Sequence, residues 1–447
     1  ANLYGSPNVL TPGHMCYLPR IAISKVMGMD IPLCDYDNNP QCVVAWGSNH
    51  LISNPDENKG INLAKTLTNG AKLIVIDPRS NKLTQKADLW LQLRPATDVA
   101  LAMGMMHVIV KEDLYDHTFV DNYTTGFEQL KRRLEKFSPE IVEQITWVPK
   151  QKIIEAARLY ATTKPAALQW GVGIEQNINC VDADRALIYL VAITGNLDVP
   201  GGNAIFGIPP GVPRAKFAMF DKLPPEQKAK LLGGERYKLG ALINRITPHV
   251  VWDAIERGDP YQVRGLVVFA SNQLTARENA KRVYQALKQV EFLVTTDIFR
   301  TPTTELADIV LPAATWLEND NIADYWKVHG YIFPRVKVVE PPGEAWPDHI
   351  ILNELGKKLG FKEEFWDTYE DSLDYILEPT GMTWQEFKEV PYLRNEPEFR
   401  KHEKNGFNSE SGKLDFYLQQ YEDWGYDALP DFVEPPESPA REPEFLA

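Results

Sequence analysis

Short polar side chains and a carboxylate recur at two places in this chain, in the same order and at nearly the same spacing. In each place an apolar run is followed by a Ser-Asn pair, a helix-length spacer and a second apolar run that ends in aspartate. The recurring residues are Ser48, Asn49 and Asp77 in the first copy, and Ser271, Asn272 and Asp297 in the second. An ionised carboxylate accepts two parallel hydrogen bonds, which suits the N1–H and amino group of guanine or the hydroxyls of a ribose. The pattern therefore predicts two copies of one ligand site, related by a pseudo-two-fold axis.

The elements that must position these groups repeat as well. Asp88 follows Asp77 by 11 residues and Asp308 follows Asp297 by the same interval, each in an Ala-Asp pair before a third apolar run. Self-similarity over this length indicates a duplicated α/β unit. Ligands of open parallel sheets bind beyond the carboxyl ends of the strands, where both polar clusters are predicted to lie. Aspartate is also favoured in turns and helix caps, so a purely structural role is the alternative. Neither copy contains G-x-G-x-x-G, the usual nicotinamide-binding fingerprint.

Eight ordered motifs resemble the molybdopterin oxidoreductases related to dimethyl sulfoxide reductase: WGSN, IDPR, ADLWLQLRPATD, ITGNLDVPGGN, TTDIF, ADIVLPAATWLE, VEPPGEAW and SESGKLDFY. The resemblance covers almost the whole chain. It implies an α/β fold with two pseudo-symmetric α/β units of largely parallel sheets, each binding one molybdopterin guanine dinucleotide, whose dithiolenes together chelate one molybdenum or tungsten. One position departs from the family, which has glycine where this chain has Ala96. If that turn needs a positive φ, alanine strains it.

The residues assigned to the cofactor follow predicted strands or lie in glycine-rich turns. Glycine lets backbone approach a bulky ligand closely, although a tight turn that serves packing alone is the alternative. Arg79 could neutralise a pyrophosphate. The predicted cofactor-binding residues are Gly47, Ser48, Asn49, Asp77, Pro78, Arg79, Thr97, Asp98, Gly171, Gly173, Gln176, Asn196, Gly202, Ser271, Asn272, Gln273, Asp297 and Phe299.

Cys16, in TPGHMCYLPR, occupies the position from which the resembled family supplies its protein ligand to the metal. A thiolate is a strong donor to such a soft centre, whereas a lone cysteine without this context is usually a small buried hydrophobe. His14 could donate a proton in the metal pocket, and Arg20 could hold an anionic substrate or a pterin phosphate. A surface histidine and an ordinary helix salt bridge are the respective alternatives. The predicted catalytic residues are thus Cys16, His14 and Arg20.

The resemblance implies an enzyme that exchanges two electrons with a small substrate, by oxygen or sulfur atom transfer or by hydride transfer. Cysteine as metal ligand favours the branch with polysulfide and thiosulfate reductases, and Tyr17 after it counts against formate dehydrogenase activity. The first alternative is a tungsten lyase that adds water without net redox, because EPTGMTWQEF, GSPN and the Met-Cys pair resemble acetylene hydratase. The second is a non-catalytic structural subunit of a respiratory complex.

Four segments are predicted. Residues 1–205 form the first α/β domain with the metal-ligand loop, residues 206–262 form a connection, residues 263–360 form the second and incomplete α/β unit, and residues 361–447 form a helical segment and a Pro-rich linker. Family members also carry an N-terminal segment, often with an iron–sulfur cluster, and a C-terminal β domain. The chain is therefore expected to be a fragment or a split subunit.

Cysteine spacing and charge limit the partners. Cys16, Cys34, Cys42 and Cys180 form no C-x-x-C cluster, so an iron–sulfur cluster is expected only on the missing N-terminal segment. A net charge of −14 argues against a nucleic-acid partner. The apolar run at 99–110 is too short to span a bilayer and predicts a buried helix. The expected partners are a small-molecule substrate and an iron–sulfur electron-transfer subunit or the missing segments.

Overall fold

The structure is a computed structural model that describes residues 1–53, 59–207, 209, 218–324, 330–442 and 444. The chain divides into two compact units. The first unit comprises residues 12–206 and 397–447, and the second unit comprises residues 1–11 and 207–396.

A parallel four-stranded sheet forms the centre of the first unit. Its elements up to residue 206 are α1 (Leu18–Val26), β1 (Leu33–Cys34), β2 (Cys42–Trp46), α2 (Lys59–Thr68), β3 (Lys72–Ile76), β4 (Leu89–Leu91), α3 (Asp98–Lys111), α4 (His117–Tyr123), β5 (Thr124–Thr125), α5 (Phe127–Leu134), α6 (Pro139–Thr146), α7 (Lys150–Thr162), β6 (Ala166–Trp170), α8 (Cys180–Ile193) and β7 (Asn203–Ala204). The strand order is β4-β3-β2-β6, and every neighbouring pair is parallel. Every residue of β2 and β6 is buried, as is typical of a parallel sheet covered on both faces.

The second unit contains a smaller parallel sheet. Its elements are α9 (Pro225–Lys228), α10 (Lys238–Leu242), α11 (Pro248–Arg257), β8 (Gly265–Phe269), α12 (Gln273–Ala276), α13 (Ala280–Leu287), β9 (Phe292–Asp297), β10 (Ile309–Pro312), β11 (Asn321–Ala323), β12 (Tyr331–Arg335), α14 (Asp348–Lys358), α15 (Tyr369–Leu377), α16 (Trp384–Phe387) and β13 (Leu393–Arg394). The described strands of this sheet are ordered β10-β9-β8, all parallel, so the predicted duplication of an α/β unit with a parallel sheet is confirmed.

The two faces of the second sheet differ in burial. On one face Val268 and Leu293 pack against α11 and α13 in a single apolar core. On the other face Val267, Phe292 and Ile309 are 50%, 48% and 44% exposed. We call these three residues and their neighbours on that face the open face of the second sheet.

The C-terminal segment returns to the first unit, which corrects its prediction as a linker. It contains α17 (Lys401–Asn405), β14 (Leu414–Asp415) and α18 (Gln419–Asp423), and β14 pairs in parallel with β5. Farther on, Arg94 pairs with Glu434 at 2.5 Å and Arg133 pairs with Asp431 at 2.9 Å. These ion pairs and the added strand fix the chain between residues 414 and 434 to the first unit.

The other boundaries also differ from the predicted segments. At the N-terminus, Leu10 forms a parallel bridge with Ile246, so the first residues belong to the second unit. In the predicted connection 206–262, residues 208 and 210–217 lie outside the described residues, and α11 packs directly on the second sheet. Residues 361–396 contribute α15 and α16 to an apolar core with Ile322 and Ile332. The predicted boundary after residue 205 lies one residue from the unit boundary after residue 206, and the other two predicted boundaries match no unit boundary.

The apolar run at 99–110 forms most of α3, which is almost entirely buried, as the sequence predicts. Across the described residues, we find no helix that combines the length and the apolar composition needed to cross a membrane.

Candidate functional site

The loops that follow the first strand of each repeat have the same backbone geometry. In the first repeat, residues 43–98, the Gly47 N–H donates to the Ile76 carbonyl at 2.9 Å; in the second, residues 266–318, the Ala270 N–H donates to the Thr296 carbonyl at 3.0 Å. Gly47 has φ +56° and Ala270 has φ +46°. In both repeats the chain therefore leaves the sheet through a residue in the left-handed conformation at the carboxyl end of the strand.

Asp77 and Asp297 form matching turns at the ends of β3 and β9. The Asp77 carboxylate accepts the Arg79 backbone N–H at 2.8 Å, and the Asp297 carboxylate accepts the Phe299 backbone N–H at 3.1 Å. In both cases the bond engages Oδ1. Asp77 Oδ2 also accepts a longer bond from Asn81 Nδ2, at 3.2 Å. Because a carboxylate offers about four lone-pair sites, both groups retain acceptor capacity for a ligand.

The aspartates 11 residues farther on explain why that spacing recurs. Asp88 Oδ2 accepts the backbone N–H of Leu73 at 2.8 Å, and Asp308 Oδ2 accepts that of Leu293 at 2.7 Å. Each carboxylate thus binds the start of the preceding strand, which sets the position of the next strand relative to it. The two repeats share these hydrogen bonds at the strand ends.

The Ser-Asn loop of the first repeat contains two buried acceptors without a partner among the described residues. They are Asn49 Oδ1 and His50 Nε2. The other ring nitrogen of His50 lies 3.2 Å from the Ser48 carbonyl oxygen, and with a proton on Nδ1 it donates to that oxygen. Burial, with Lys59 as a second cause, lowers the pKa of His50 to about 4, so the ring is neutral at neutral pH. His50 is not among the residues predicted from the sequence, although it directly follows the recurrent Ser-Asn pair.

The corresponding loop of the second repeat is bonded to the loop that follows Asp297. Thr303 Oγ1 donates to Asn272 Oδ1 at 2.7 Å and accepts the Leu274 N–H at 3.1 Å. Gln273, at the position of His50, is buried and donates to Ser271 Oγ at 2.8 Å. The structure thus brings Ser271, Asn272 and Gln273 together at the carboxyl edge of the second sheet.

Gly171 and Gly173 lie where the loop after β6 meets the loop after β2. The Gly171 N–H donates to the Trp46 carbonyl at 3.0 Å. A Cβ on Gly171 would lie 2.7 Å from the Gly47 carbonyl oxygen, and one on Gly173 would lie 3.2 Å from it. The sequence predicts that glycines here let the backbone approach a cofactor closely. In the structure the close approach is between the two loops, and it brings Gly47, Gly171 and Gly173 together at the carboxyl ends of β2 and β6.

Cys16 lies in a turn between a short 3-10 helix, Pro12–Met15, and α1. Its N–H donates to the Gly13 carbonyl at 3.0 Å, and its side chain is partly exposed. Gln176 Nε2 donates to the Met15 carbonyl at 3.3 Å. This bond joins the Cys16 turn to the loop after β6, and the predicted role of Gln176 in cofactor binding stays a prediction. His14 is half-buried in the same short helix.

The other three cysteines are held as thiols. Burial raises the pKa of Cys42 and that of Cys180 to about 12, and it raises the pKa of Cys34 as well. A metal ligand must be a thiolate. The described structure therefore favours Cys16 over the remaining cysteines as a ligand.

Arg20 is buried in an ionic cluster and cannot reach an anionic substrate, which corrects its predicted role. Its guanidinium pairs with Glu175, and its Nε lies 3.7 Å from Asp184 Oδ1, which also accepts Trp170 Nε1 at 2.9 Å. The guanidinium carbon is 4.5 Å from the ring centroid of Tyr17 and 4.3 Å from that of Trp170. Burial raises the pKa of Asp184 to about 8 and also raises that of Glu175, in both cases against the opposing effect of Arg20.

The turn before α3 confirms the strain expected at the departure from the family pattern. Ala96 has φ +64°. Thr97 Oγ1 donates to the Arg94 carbonyl at 2.6 Å, and Asp98 Oδ1 accepts Trp46 Nε1 at 2.8 Å. Burial, partly offset by the Trp46 bond, raises the pKa of Asp98 to about 6. Thr97 and Asp98 are thus buried and fixed from within the first unit.

Asn196 and Gly202 lie at the amino ends of the strands of the first sheet, whereas the residues predicted on the loops after β2, β3 and β6 lie at the carboxyl ends. Asn196 Oδ1 accepts the N–H of Ala166, the first residue of β6, at 3.1 Å. A Cβ on Gly202 would overlap the Asn196 carbonyl oxygen. A five-residue strand spans roughly 16 Å, so these residues close the loop after α8 at the amino ends of the strands. Their predicted place in the cofactor site is wrong for this reason.

A sequence model of the molybdopterin oxidoreductase family matches residues 1–358. This chain belongs to the molybdopterin oxidoreductase family. Acetylene hydratase of Syntrophotalea acetylenica is 34% identical to it in an alignment 475 residues long, which covers 99% of this chain and 64% of that protein. The alpha subunit of F420-dependent formate dehydrogenase of Methanocaldococcus jannaschii is 34% identical over 377 residues, covering 80% of this chain and 53% of that subunit.

The fold of the family is present as well. The solved structure of acetylene hydratase from Pelobacter acetylenicus matches with a TM-score of 0.92 at 32% identity, over 99% of this chain and 64% of that one. The chain thus spans slightly under two thirds of the acetylene hydratase sequences it matches. These family relatives are enzymes.

The described residues fit a pterin-held metal better than a metal held by the protein alone. No group of three or more His, Cys, Asp or Glu side chains that could hold a metal ion occurs in the part of the chain that the structure describes. A partly exposed Cys16 offers one donor. At the carboxyl edge of the first sheet, Asn49 Oδ1 and His50 Nε2 present acceptors that suit the many N–H and O–H groups of a pterin or nucleotide.

Proposed function

We propose that this chain is the cofactor-binding catalytic portion of a molybdenum or tungsten enzyme that uses two molybdopterin guanine dinucleotides. The observation that carries the proposal is the matched turn of Asp77 and Asp297, in which each carboxylate is fixed by one backbone N–H and keeps further acceptor sites. Two equivalent carboxylates at the ends of equivalent strands imply two equivalent guanine sites.

Each repeat would bind one nucleotide through groups at its carboxyl edge. Asp77 and Asp297 would accept the N1–H and amino group of guanine, because two parallel donors match a carboxylate. The adjoining Ser-Asn loops would bind the ribose and phosphates through hydroxyl, amide and backbone groups. In the first unit, the Gln176 side chain would keep the loop after β6 against the turn that carries Cys16.

Cys16 would provide the protein ligand to the metal. When bound, the cofactor supplies a metal centre that exchanges two electrons with a substrate or activates water. The Cys16 thiol is partly exposed; that of Cys180 is partly exposed too, but its pKa is raised to about 12, as is that of the buried Cys42. His14, half-buried two residues earlier, would hold a proton near that site.

The leading reaction is a two-electron redox conversion of a small substrate. An iron–sulfur cluster on another segment or on a partner subunit would carry the electrons, because the spacing of the four cysteines does not suit a cluster. Tyr17 follows Cys16 in this chain, so we do not assign formate as substrate in spite of the likeness to a formate dehydrogenase subunit.

Hydration is the second candidate reaction, and the likeness to acetylene hydratase over 99% of this chain favours it. Water addition to acetylene needs no external electron acceptor, whereas the redox reaction does. Two assays of the reduced full-length protein separate the reactions. The first supplies acetylene alone, and the second supplies a redox dye as electron donor or acceptor together with oxidised or reduced small substrates. Formation of acetaldehyde from acetylene in the absence of an electron acceptor supports hydration. Dye-coupled turnover of another substrate, with no acetaldehyde formed from acetylene, supports the redox reaction.

The cofactor proposal is tested on the full-length protein by metal analysis and by chromatography of nucleotides released on hydrolysis. We expect two guanine nucleotides for each molybdenum or tungsten. Asp77→Ala and Asp297→Ala should each weaken one site by about tenfold or more, since a hydrogen bond to a charged group contributes about 1.5–3 kcal/mol. Asp121→Ala, which removes an exposed carboxylate of α4, is the matched control. One nucleotide per metal, or adenine in place of guanine, would contradict the proposal.

A further inference from the structure

Arg277 is a buried cation without an acidic partner in the described structure. Its side chain is 8% exposed. Its Nε donates to Gln273 Oε1 at 2.9 Å, which is the one hydrogen bond of this guanidinium within the described residues. The terminal nitrogens of the guanidinium therefore have donor capacity that the described protein does not use.

The other buried arginines of the described chain are all neutralised. Arg20 pairs with Glu175, Arg94 pairs with Glu434, and Arg185 pairs with Asp182. Removing a charge from water is costly unless an opposite charge or good hydrogen bonds replace the hydration. Burial lowers the pKa of Arg277, and the neighbouring Glu278 only partly opposes this effect. Arginine stays charged even so, and the site has an unmatched positive charge.

The side chain of Arg277 is fixed by the loop that follows β8. Gln273 accepts from Arg277 and donates to Ser271 Oγ at 2.8 Å, so the guanidinium is oriented through a buried amide. The same loop is bonded through Thr303 to the segment that follows Asp297. Arg277 thus belongs to the carboxyl edge of the second sheet, where the nucleotide of this repeat is proposed to bind.

The first repeat places its cation differently. Arg79 follows Asp77 there and is largely exposed, with its Nε 3.9 Å from Asp77 Oδ1. The second repeat has Phe299 at the matching position. Arg300 next to it is exposed and pairs with Glu305 at 2.8 Å. The arginine near the turn of Asp297 is thus already paired with a carboxylate, and Arg277 is the cation without an acidic partner that the adjoining loop provides.

We propose that Arg277 binds the phosphoryl oxygens of the nucleotide held by the second repeat. Its planar guanidinium can donate two parallel hydrogen bonds to a phosphoryl group, and the ligand then supplies the negative charge that the protein lacks here. The class of ligand is a nucleotide pyrophosphate. This inference rests on the proposed function for the position of the nucleotide, and on the contacts of Arg277 for the anion.

The test is calorimetric titration of the full-length protein, prepared without cofactor, with GDP, inorganic pyrophosphate and guanosine. The titrations use an Asp77→Ala background, so that the nucleotide site of the second repeat dominates. We expect Arg277→Gln to weaken GDP and pyrophosphate binding by about tenfold or more and to leave guanosine binding unchanged. Arg277→Lys, which keeps the charge but loses the planar fork, should show a smaller loss and covers the case in which Arg277→Gln does not fold. Arg300→Gln, an exposed cation of the same repeat, should change GDP affinity less than about twofold.

The outcomes separate this inference from the guanine assignment. Unchanged GDP and pyrophosphate affinity in both Arg277 variants overturns the anion site, as does the absence of pyrophosphate binding to the parent protein. If Arg277 governs pyrophosphate binding but Asp297→Ala leaves GDP affinity unchanged, the anion site stands and the guanine site fails. If Asp297 governs GDP affinity and Arg277 does not, the reverse holds.

Discussion

Gly171 approaches Gly47 so closely that a Cβ on Gly171 would lie 2.7 Å from the Gly47 carbonyl oxygen. The contact joins the loops that follow the adjacent parallel strands β6 and β2. Because the same loops carry Ser48, Asn49 and Gln176, this backbone contact determines the spacing of the groups proposed to bind the cofactor.

Gly171→Ala should destabilise the first unit by about 1–3 kcal/mol, since an added methyl group there has no space without a backbone shift. The free energy of unfolding is measured by urea denaturation followed by circular dichroism. Gly265→Ala is the control, because the nearest atom to its added Cβ is the Phe292 carbonyl oxygen at 3.9 Å. The control should be neutral or stabilising by up to about 1 kcal/mol. Equal effects of the two substitutions would contradict the steric argument.

Ala96→Gly should stabilise the protein by about 0.5–1 kcal/mol, because Ala96 has φ +64° and glycine adopts this conformation without steric cost. The shift in melting temperature measures the effect. Ala64→Gly, in an exposed helical position of α2, should instead cost about 1 kcal/mol. A loss of stability in both variants would show that the turn before α3 is not strained.

The buried cluster of Asp184 predicts a pH dependence of stability. The pKa of Asp184 rises from its ordinary 3.8 to about 8 in the folded state. The titratable groups around it include Arg20, Glu175, Cys180 and Tyr17. The folded protein then binds more protons than the unfolded chain across this window. The contribution of Asp184 is therefore fully present below pH 3.8 and is lost as pH rises toward 8.

Asp184→Asn cannot ionise and should flatten the dependence of unfolding free energy on pH between about 4 and 8. Denaturant titrations at a series of pH values measure the slope. Glu112→Gln is the opposite control, since its bond to Arg158 lowers the pKa of Glu112, so its contribution is lost as pH falls instead. An unchanged slope in Asp184→Asn would show that this carboxyl is ionised in the folded protein.

Cys16 should be the first cysteine alkylated when the metal-free folded protein is treated with iodoacetamide near neutral pH. Cys16 and Cys180 are partly exposed, whereas Cys34 and Cys42 are buried. Burial raises the pKa of Cys180 to about 12, so its thiol stays protonated and reacts slowly, as do those of Cys34 and Cys42. Peptide mass spectrometry locates the label. Cys16→Ala should abolish fast labelling and keep the nucleotide content, and Cys180→Ala should keep the fast labelling. Preferential modification of another cysteine would contradict the assignment of Cys16.

The open face of the second sheet should make residues 1–447, expressed alone, bind a hydrophobic dye and associate with rising concentration. Val267→Lys should reduce both, because Val267 lies on that face and is 50% exposed. Ile61→Lys, at a 62% exposed position of α2, should have little effect. Light scattering and dye fluorescence measure the outcome, and equal effects of the two variants would argue against the open face as the cause.

The duplicated unit was readable in the sequence because its signals are local. An aspartate carboxylate that accepts the N–H two residues later, as in Asp77 and Asp297, depends on a short stretch of chain, and the order of apolar runs predicts adjacent parallel strands. The family motifs likewise marked Cys16, and Ala96 was recognised as a misfit from one residue. The duplicated parallel sheets and the positive φ of Ala96 agree with the prediction, and the role of Cys16 as metal ligand stays a prediction.

Other roles depended on partners distant in sequence. Arg20 pairs with Glu175, 155 residues away, and that contact made it a buried ion pair instead of a substrate ligand. Asn196 has a plausible motif, but its bond to Ala166 puts it at the amino ends of the strands. A motif names the residue types of a loop, and only the packing of the strands decides at which edge of the sheet the loop lies.

The chemistry encoded by the sequence alone was thus the repeated Asp turn and the thiol of Cys16 in its family motif. Tertiary structure decided which charged groups are neutralised, since burial and ion pairing arise only when distant segments pack. It matched Arg94 with Glu434 across 340 residues and left Arg277 buried with a neutral glutamine as its partner. No spacing rule predicts such a difference, because the cost of a buried charge depends on what surrounds it in the folded protein.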